Sequence, residues 1–596
     1  MSVLPDQPIY HLLWSIPESF GGLTHVCLKR ATMLSEADKR RMDILTLAPN
    51  FDAASRQDEL RSEGLIGDFV RIRNLWADLR TATDESLNTL SSEVNITHGD
   101  NDRSPLVGVA DYDLVGASGQ TLMTTRYRDD GTILATDRFD VNSVGQRGGR
   151  RITIYSRTGE AIGQWRSASA FYYAWLESMS RNATATFICD SAFVGGMMAG
   201  RKFDHMNFVQ VVHSHHRDTS EKYFNNVSSG KLALLSKADS FDRVCILTDR
   251  QRGQLVKENL AADNFVTIPN TFSGTIVQRV EHRERHRGVI VGRLSGIKQI
   301  DHSIKAVRDI GSGIDVTLDI YGTGDKHASL EVMSRNLCLE ERIRFHGYDP
   351  DARAQFRKGS FSLLTSKSEG HPLVLLESMA AGCIPIAYDI EFGPSDIITH
   401  GVNGFLVPPN DVEMLSKTIR DLLEMPEQKV ESMRRAGTQR AFDFSSEAIT
   451  SLWGDELKSI AASPKATASG DVKARLVGLD DRADGFHAAV EIEGLNSNEA
   501  SWCKLAWVGR KREAYGRAEA KMLNRNGKVL VEGIFPDTHG ELGRSELLDL
   551  YVDTRIGGVP RRARIESGSV TLPAEGNVLE MYSTAHGNVS LKLNKR

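Results

Sequence analysis

Two glutamates, Glu369 and Glu377, flank a Gly-His-Pro turn and an apolar run in the stretch SEGHPLVLLES at residues 368–378. Because proline is favoured in the first turn of a helix, Pro372 predicts that a helix begins at this point. Glu369 would then lie in the loop before the helix, and Glu377 about one turn into it on the same side. Two carboxylates placed in this way can accept hydrogen bonds from the hydroxyl groups of a sugar.

Two cations, Arg293 and Lys298, stand close together in the stretch VGRLSGIKQI, directly after the predicted strand GVIV. The N–H groups of Leu373, Val374 and Leu375, at the beginning of the predicted helix, are expected to be free and to form an anion site. Fixed cations beside the N-terminus of a helix can stabilise a departing diphosphate. Together the two motifs predict a site for a sugar that is linked to a nucleoside diphosphate.

The residues around both motifs alternate between short apolar runs and segments long enough for helices. After Gly288 the apolar runs are GVIVGRL, IDVTLDIYG, IRFHGY, FSLLTS and CIPIAYD. Turn signals bound each run, which predicts a doubly wound unit with a parallel sheet. Residues 1–84 show the same alternation, so the predicted fold class is α/β. Ligands of open sheets bind at the carboxyl ends of strands, so the chemistry is expected between residues that follow strands in two such units.

Changes of sequence pattern divide the chain into six segments. Period-two alternation with turns at Gly and Asp-Asp-Gly predicts an antiparallel β insert within the first unit. Short alternating segments after a linker rich in Ala, Ser and Thr predict an appended C-terminal β-sandwich. The predicted limits are 1–84 and 183–287 for the two parts of an N-terminal Rossmann-like domain, 85–182 for the insert, 288–460 for a C-terminal Rossmann-like donor domain with a returning helix, 461–471 for the linker and 472–596 for the sandwich.

The composition limits the classes of function. The chain has 596 residues and a net charge of −5, which is ordinary for a protein of several domains and does not indicate a polyanion binder by bulk charge. Basic patches interleaved with aromatic platforms are missing, so no nucleic-acid partner is expected. Six scattered cysteines without metal-ligand spacing indicate free thiols in a reducing compartment. We therefore expect a cytoplasmic protein, and peripheral association with the inner face of the cell membrane stays open.

The motifs resemble those of the retaining glycosyltransferases of the GT-B fold (glycosyltransferase family 4 type). The resemblance rests on E-x7-E at Glu369 and Glu377 and on R-x4-K at Arg293 and Lys298, and it covers about residues 8–456. It is strongest to the poly(glycerol/ribitol-phosphate) α-glycosyltransferases, which add sugars to teichoic acid. The other segments that carry it are GGLT, HSHH, LTDRQ, IPN, YGTGD, AAGCIPIAYDI and GVNGFLVPPND. It implies two facing Rossmann-like domains, with a β insert in the first.

The resemblance also implies roles for the motif residues. Glu377 would bind the ribose hydroxyls of the donor, and Glu369 would contact the donor sugar and help to position its anomeric carbon. Arg293 and Lys298 would hold the diphosphate. Gly370 would belong to the same donor-binding loop, together with the helix N–H groups.

Four further residues are candidates for contacts with the donor or the acceptor. Gly22 would let the backbone approach the donor, because a side chain there would clash. His213, in HSHH, would face the sugar as a catalytic residue, and His216 is a second candidate at that place. His371 departs from the apolar residue common in the family, which could alter the preference for sugar or acceptor. The HSHH run invites a metal interpretation, but no further ligands stand at fixed spacing, so no metal or other cofactor is expected.

The predicted reaction transfers glucose or N-acetylglucosamine from a UDP-sugar to a polyol phosphate of the teichoic acid type. Front-face substitution with retention is the favoured mechanism, and a covalent double displacement stays open. Two other functions remain: O-glycosylation of serine-rich proteins, and a non-catalytic GT-B partner or chaperone subunit. Self-association through the insert is a further hypothesis.

Three arginine clusters could guide a polyphosphate chain, although each is more often a solvated face. They comprise Arg147, Arg150 and Arg151; Arg279, Arg283, Arg285 and Arg287; and Arg555, Arg561, Arg562 and Arg564.

Overall fold

The computed structural model describes most of the chain, and every structural statement below concerns the described residues. These are residues 2–95, 110–180, 183–201, 205–217, 229–260, 263–272, 274–277, 283–463, 472–494, 500–510, 515–525, 528–536, 547–556, 559–572, 574–575 and 579–593.

The chain divides into two compact units. The first comprises Met1–Val211, Ala233–Arg243 and Leu457–Thr467, and the second comprises Val212–Leu232, Val244–Glu456 and Ala468–Arg596.

In the described part of the chain, the first unit contains a parallel and an antiparallel arrangement of strands together with helices α1 to α6. Its strands are β1 (Ile9–Leu13), β2 (Met42–Thr46), β3 (Val70–Asn74), β4 (Tyr112–Val115), β5 (Thr121–Tyr127), β6 (Ile133–Arg138), β7 (Arg151–Tyr155), β8 (Ala161–Trp165), β9 (Ala185–Cys189) and β10 (Met206–Val212). Its helices are α1 (Gly22–Ala37), α2 (Ala53–Ser62), α3 (Leu75–Thr81), α4 (Asp84–Asn88), α5 (Ala168–Ser178) and α6 (Ala192–Met198).

Five strands of the first unit form a parallel arrangement in the order β10-β9-β1-β2-β3. Strands β2, β9 and β10 are buried at every position, as expected for a parallel sheet that is covered on both faces. The insert appears as the antiparallel sheet β4-β5-β6-β7-β8. The sequence pattern thus predicted both the parallel class and the antiparallel interruption.

The second unit contains the remaining strands. They are β11 (Arg243–Ile246), β12 (Phe265–Thr267), β13 (Glu284–Val291), β14 (Thr317–Tyr321), β15 (Ile343–Gly347), β16 (Gly359–Leu364), β17 (Ile384–Tyr388), β18 (Phe405–Val407), β19 (Lys473–Arg482), β20 (Gly485–Glu493), β21 (Ala500–Gly509), β22 (Tyr515–Arg525), β23 (Lys528–Pro536), β24 (Leu548–Ile556), β25 (Val559–Glu566), β26 (Ala574–Glu575), β27 (Leu579–Ser583) and β28 (Val589–Leu593).

The later helices are α7 to α15, of which α7 and α15 contribute residues to both units. They are α7 (Ser229–Leu235), α8 (Asp249–Lys257), α9 (Ile300–Ile310), α10 (His327–Asn336), α11 (Leu373–Ala380), α12 (Pro394–Ile397), α13 (Val412–Glu424), α14 (Glu427–Phe442) and α15 (Ser446–Ala462). Helix α15 extends into the predicted linker, and residues 464–471 of that linker lie outside the described part of the chain.

A second Rossmann-like sheet has the strand order β15-β14-β13-β16-β17-β18, and all of its neighbouring strands are parallel. Its core packs apolar residues of the strands against α9 and α13, among them Ile304, Ile320 and Leu415. The order reverses direction between β13 and β16, so the chain runs on from these two adjacent strands in opposite directions, on either side of a crevice at their carboxyl ends. Such a switch point is where open α/β sheets bind ligands.

In the described residues of the C-terminal segment, the regular elements are all β-strands, as the sequence predicts. Its ten strands follow the order β21-β22-β23-β20-β19-β25-β24-β28-β27-β26, and a further pairing of β21 with β24 closes seven of them into a ring. Apolar side chains such as Leu505, Val531 and Leu550 fill the interior. Among the described residues, the longest helices are too short or too polar to cross a bilayer.

Candidate active site

The loop that carries Glu369 follows β16 and ends at helix α11, as the sequence predicts. Helix α11 begins at Leu373, directly after Pro372, and Gly382 follows its end with a φ of 72°, the left-handed conformation that glycine adopts without strain. Glu369 therefore lies in the crevice at the switch point of the sheet, and Glu377 lies one turn into the helix.

The cation loop after β13 meets the glutamate loop after β16. The Lys298 ammonium group donates to the Glu369 carboxylate over 2.6 Å. The backbones are tied as well: the Lys367 N–H donates to the Ile297 carbonyl over 2.8 Å, and the Thr365 hydroxyl donates to the Lys298 carbonyl over 3.1 Å. The side chains of Lys298 and Glu369 are 28% and 13% exposed, so a ligand can reach the pair.

Arg293 is the second cation of this loop. It is exposed, and within the described part of the chain its guanidinium group makes no recorded hydrogen bond or ion pair. An exposed arginine in the same loop as Lys298 can bind a phosphate without a competing carboxylate.

Glycines of the YGTGD turn hold the cation loop in place. A side chain on Gly322 would overlap the carbonyl oxygen of Gly292, and one on Gly324 would overlap that of Leu294. The close approach allows the Leu294 N–H to donate to the Thr323 carbonyl over 2.9 Å. These glycines therefore serve backbone packing under the cation loop, which explains a G-x-G pattern that lacks the third glycine of a dinucleotide site.

Glu377 is paired with an arginine that the sequence motifs do not indicate. The Arg353 Nε donates to Glu377 Oε1 over 2.7 Å, and the Glu377 side chain is only 5% exposed. Burial raises the pKa of Glu377, and the Arg353 charge opposes this rise. Arg353 follows β15, at the same carboxyl edge of the sheet, so only the strand-end rule could have suggested it.

The beginning of α11 offers fewer free N–H groups than the sequence predicts. The Leu375 N–H already donates to the Pro372 carbonyl over 3.0 Å, so the expectation that it is free is wrong. A tight first turn causes this, because the chain bends sharply after the proline. No side chain caps the helix, which leaves the N–H groups of Leu373 and Val374 available to an anion.

His213 lies beside the glutamate loop. A side chain on Gly370 would overlap the His213 carbonyl oxygen, so glycine at this position lets the HSHH loop pack directly on the residue after Glu369. The His213 side chain is partly exposed. The structure thus brings together His213, Glu369 and Lys298, which are far apart in the sequence.

The other two candidate histidines are buried. His216 is fully buried, and its Nε2 lies 3.2 Å from a carboxylate oxygen of Glu258. The His371 ring packs on Phe444 at 5.4 Å between ring centroids, and neither ring nitrogen has a described partner. Burial, with a smaller contribution from the Arg440 charge, lowers the pKa of His371 to about 3. Both residues shape the loops that carry Glu369 and His213, and their predicted contact with a substrate stays a prediction.

Gly22 begins helix α1 of the first unit. No atom lies within 4 Å of the position that a side chain there would occupy, so the space at the helix N-terminus is open. This openness is compatible with the predicted close approach of a ligand to the backbone.

One group of side chains in the first unit has the composition of a metal site. Ligand atoms of His11, Cys27 and Asp190 lie within 4.8 Å of one another. However, the Arg30 guanidinium group donates to Asp190 and lies 3.4 Å from His11 Nδ1. Burial, reinforced by Arg30, lowers the pKa of His11 to about 3. A cation therefore already occupies the place where a metal ion would sit.

The arginines before the second Rossmann-like sheet are structural. The Arg283 guanidinium group is buried and donates to three backbone carbonyls, those of Phe356, Gly359 and Ala381. Arg287 is part of β13 and pairs with Asp319. Strand β13 thus begins at Glu284, earlier than expected, and these arginines do not form a polyphosphate track. Arg279 lies outside the described residues.

Comparison with known proteins connects this site to a family. Residues 278–440 match the family described as Glycosyl transferases group 1. The match spans the second Rossmann-like sheet with the loops that carry Arg293, Lys298, Glu369 and Glu377, so the chain contains a glycosyl transferases group 1 domain.

Two relatives and one solved structure extend the comparison. The poly(glycerol-phosphate) alpha-glucosyltransferase of Bacillus subtilis (strain 168) is 21% identical over 674 positions, which cover 99% of this chain and 97% of that protein. The GtfA subunit of a UDP-N-acetylglucosamine–peptide N-acetylglucosaminyltransferase of Streptococcus pneumoniae is 26% identical over 48% of this chain and 59% of that subunit. A mutant of S. aureus TarM, in complex with Fondaparinux, alpha-GlcNAc-glycerol and UDP, has a TM-score of 0.59 at 17% identity and covers 77% of this chain and 100% of that one. This likeness shows the GT-B fold.

Replacing Arg353 by Gln should destabilise the protein in a pH-dependent way. Without the guanidinium group, the pKa of the buried Glu377 rises further above its unfolded value, so the loss is largest at neutral pH and vanishes once Glu377 is protonated. Because Arg353 is 48% exposed, we expect a cost of about 1 kcal/mol at neutral pH. Thermal unfolding at pH 7.5 and at pH 5 measures it.

Arg357→Gln, at an exposed neighbour that forms no ion pair with the described residues, is the matched control and should change neither value. A loss in Arg353→Gln that is equal at both pH values would contradict the coupling of Arg353 to the Glu377 charge.

Proposed function

We propose that this chain, whose residues 278–440 form a glycosyl transferases group 1 domain, is a retaining hexosyltransferase that uses a UDP-sugar. The sugar is glucose or N-acetylglucosamine, and the acceptor is a polyol phosphate polymer of the teichoic acid type. The contact of Lys298 with Glu369 over 2.6 Å carries the proposal, because it joins the cation motif and the carboxylate motif in one crevice. The donor would use no metal, since side-chain cations are present where the diphosphate would bind.

The donor would bind by exchanging ion-pair partners. The diphosphate takes Arg293, Lys298 and the N–H groups of Leu373 and Val374 as its donors. Lys298 then leaves Glu369, and the released carboxylate accepts hydrogen bonds from the sugar hydroxyls. The ribose hydroxyls donate to Glu377, where the Arg353 charge opposes the rise in pKa that burial causes.

The reaction would proceed on one face of the sugar. The bond between the anomeric carbon and the diphosphate oxygen breaks, and its electron pair goes to the diphosphate, which the cations stabilise. The acceptor hydroxyl oxygen forms the new bond on the same face, and its proton passes to the departing phosphate oxygen. His213, beside Gly370, would support the charge that develops on the sugar. Double displacement is the less favoured alternative, because in the donor complex the Glu369 carboxylate would accept hydrogen bonds from the sugar hydroxyls.

The polyol phosphate acceptor is preferred over a protein acceptor because of the extent of similarity. The Bacillus relative, whose name states a poly(glycerol-phosphate) acceptor, aligns along 99% of this chain. The GtfA subunit, whose name states a peptide acceptor, aligns along 48%. The six cysteines form no disulfide, and both this and the use of a UDP-sugar donor are consistent with a cytoplasmic location. Peripheral association with the membrane would bring the enzyme to its acceptor. Self-association through β4 to β8 is part of the proposal.

A product screen tests the function. The purified chain is incubated with UDP-glucose or UDP-N-acetylglucosamine and with poly(glycerol phosphate), poly(ribitol phosphate) or a serine-rich polypeptide, in the presence of a metal chelator. We expect mass spectrometry to detect one hexose type on a polyol phosphate, and NMR to show an α linkage. Transfer only to the polypeptide would favour the GtfA-like function. If the chain neither hydrolyses the UDP-sugar nor transfers its sugar, the function as a non-catalytic partner subunit would be favoured.

Replacing Glu369 by Gln should strengthen the binding of UDP while it abolishes most sugar transfer. Without the carboxylate, Lys298 needs no partner exchange, so we expect UDP to bind about three- to tenfold more tightly. UMP, which lacks the second phosphate, should bind unchanged. Isothermal titration of both nucleotides measures the difference. Glu424→Gln, at the exposed end of α13, is the control, and weaker UDP binding to Glu369→Gln would refute the exchange.

A further inference from the structure

The carboxyl edge of the parallel strands in the first unit carries a pair of aromatic rings, of which Phe193 is exposed and Trp14 is half-buried. Trp14 directly follows β1, and Phe193 lies in the first turn of α6, which follows β9. The two rings meet edge to face, with centroids 5.2 Å apart and planes at 85°. The Phe193 side chain is left largely in water, because the residue is 59% exposed.

Both rings stand on a rigid base. The Trp14 carbonyl accepts the N–H groups of Leu47 and Ala48, over 3.1 and 2.9 Å, and so ties β1 to the end of β2. The Trp14 ring also leans on Tyr172 of α5 at 6.2 Å. Trp14 therefore supports the Phe193 ring on one side. The other side of the Phe193 ring is open to a ligand.

The turn between β9 and Phe193 is fixed as well. The Asp190 N–H donates to the Leu12 carbonyl over 3.2 Å, and its carboxylate forms an ion pair with Arg30 of α1, with both side chains almost fully buried. Ser191 caps α6 by accepting from the Val194 N–H. A ring held in this way loses little entropy when a ligand packs against it.

Exposure of one large apolar side chain is common and needs no explanation. Position distinguishes Phe193: it lies where two adjacent parallel strands, β1 and β9, end, which is the edge that binds ligands in open α/β sheets. Phe69, which is 41% exposed, directly precedes β3 and therefore lies at the opposite, amino edge of the same strands. Both phenylalanines are exposed and belong to the first unit, but they lie at opposite edges of the sheet.

We propose that the Trp14–Phe193 pair is a binding subsite for the polyol chain of the acceptor. This inference rests on the proposed function. The C–H groups of a glycerol or ribitol unit pack against the free face of Phe193, while hydroxyl and phosphate oxygens remain in water. Such a subsite has no charge requirement, so it recognises the part of the acceptor that lies between two phosphates.

The test compares three variants of the full chain with the wild type: Phe193→Ala, Phe193→Tyr and Phe69→Ala. The measured quantities are kcat and KM for transfer to a poly(glycerol phosphate) oligomer, and the affinity for UDP. Loss of the ring in Phe193→Ala should raise KM for the oligomer on the order of tenfold, with kcat at saturation and UDP affinity unchanged. Phe69→Ala should match the wild type, whereas Phe193→Tyr, which keeps a ring, should raise KM much less than Phe193→Ala does.

Two results overturn the inference while the proposed function stands. One is transfer by Phe193→Ala with an unchanged KM for the oligomer. The other is a weakened UDP affinity in that variant, which would mean that the ring stacks on the donor base. If the wild type transfers no sugar to any polyol phosphate, the proposed function fails and the inference fails with it, and the wild-type reaction alone reveals this case.

Discussion

The ion pair between Lys298 and Glu369 is the interaction on which the donor site depends. It joins the loops after β13 and β16, two strands that are adjacent in the sheet although helices and two further strands lie between them in the chain. Adjacency arises because the strand order reverses at this point, and the reversal opens the crevice in which the pair lies. Without ligand, the two side chains neutralise one another. In the proposed reaction a diphosphate would compete for Lys298, so donor binding and release of the carboxylate would be a single event.

Close backbone packing keeps this pair in position. Gly322 and Gly324 let the YGTGD turn lie directly under the cation loop, and Gly370 lets the HSHH loop lie directly on the glutamate loop. At each place a side chain would overlap a carbonyl oxygen, so the loops would have to separate. The geometry of the site therefore depends on three glycines, which have no functional side chain. Arg353 adds an electrostatic constraint, because its charge opposes the rise that burial causes in the pKa of Glu377.

The sequence predicts the fold class and the loops that carry Lys298 and Glu369, because these depend on local patterns. Apolar runs with turn signals located β13 to β17, and Pro372 located the beginning of α11. Contacts that depend on three-dimensional packing could not be predicted. Arg353 has no motif, the tight turn that engages the Leu375 N–H depends on backbone geometry, and the burial of His216 and His371 depends on Glu258 and Phe444. In the sequence, Arg283 and Arg287 resemble part of a solvated basic run. In the structure, Arg283 donates to backbone carbonyls and Arg287 forms an ion pair with Asp319.

The central claim is that side-chain cations make the nucleoside diphosphate a good leaving group. Its most direct test is the turnover of UDP-sugar by a variant that carries both Arg293→Gln and Lys298→Gln, with thermal unfolding as the check that the variant is folded. Removal of a single preorganised donor to a developing charge typically costs about 100- to 1,000-fold in rate. We predict that kcat of the double variant falls by at least about 1,000-fold. A folded double variant whose kcat stays within about tenfold of the wild type would contradict the account.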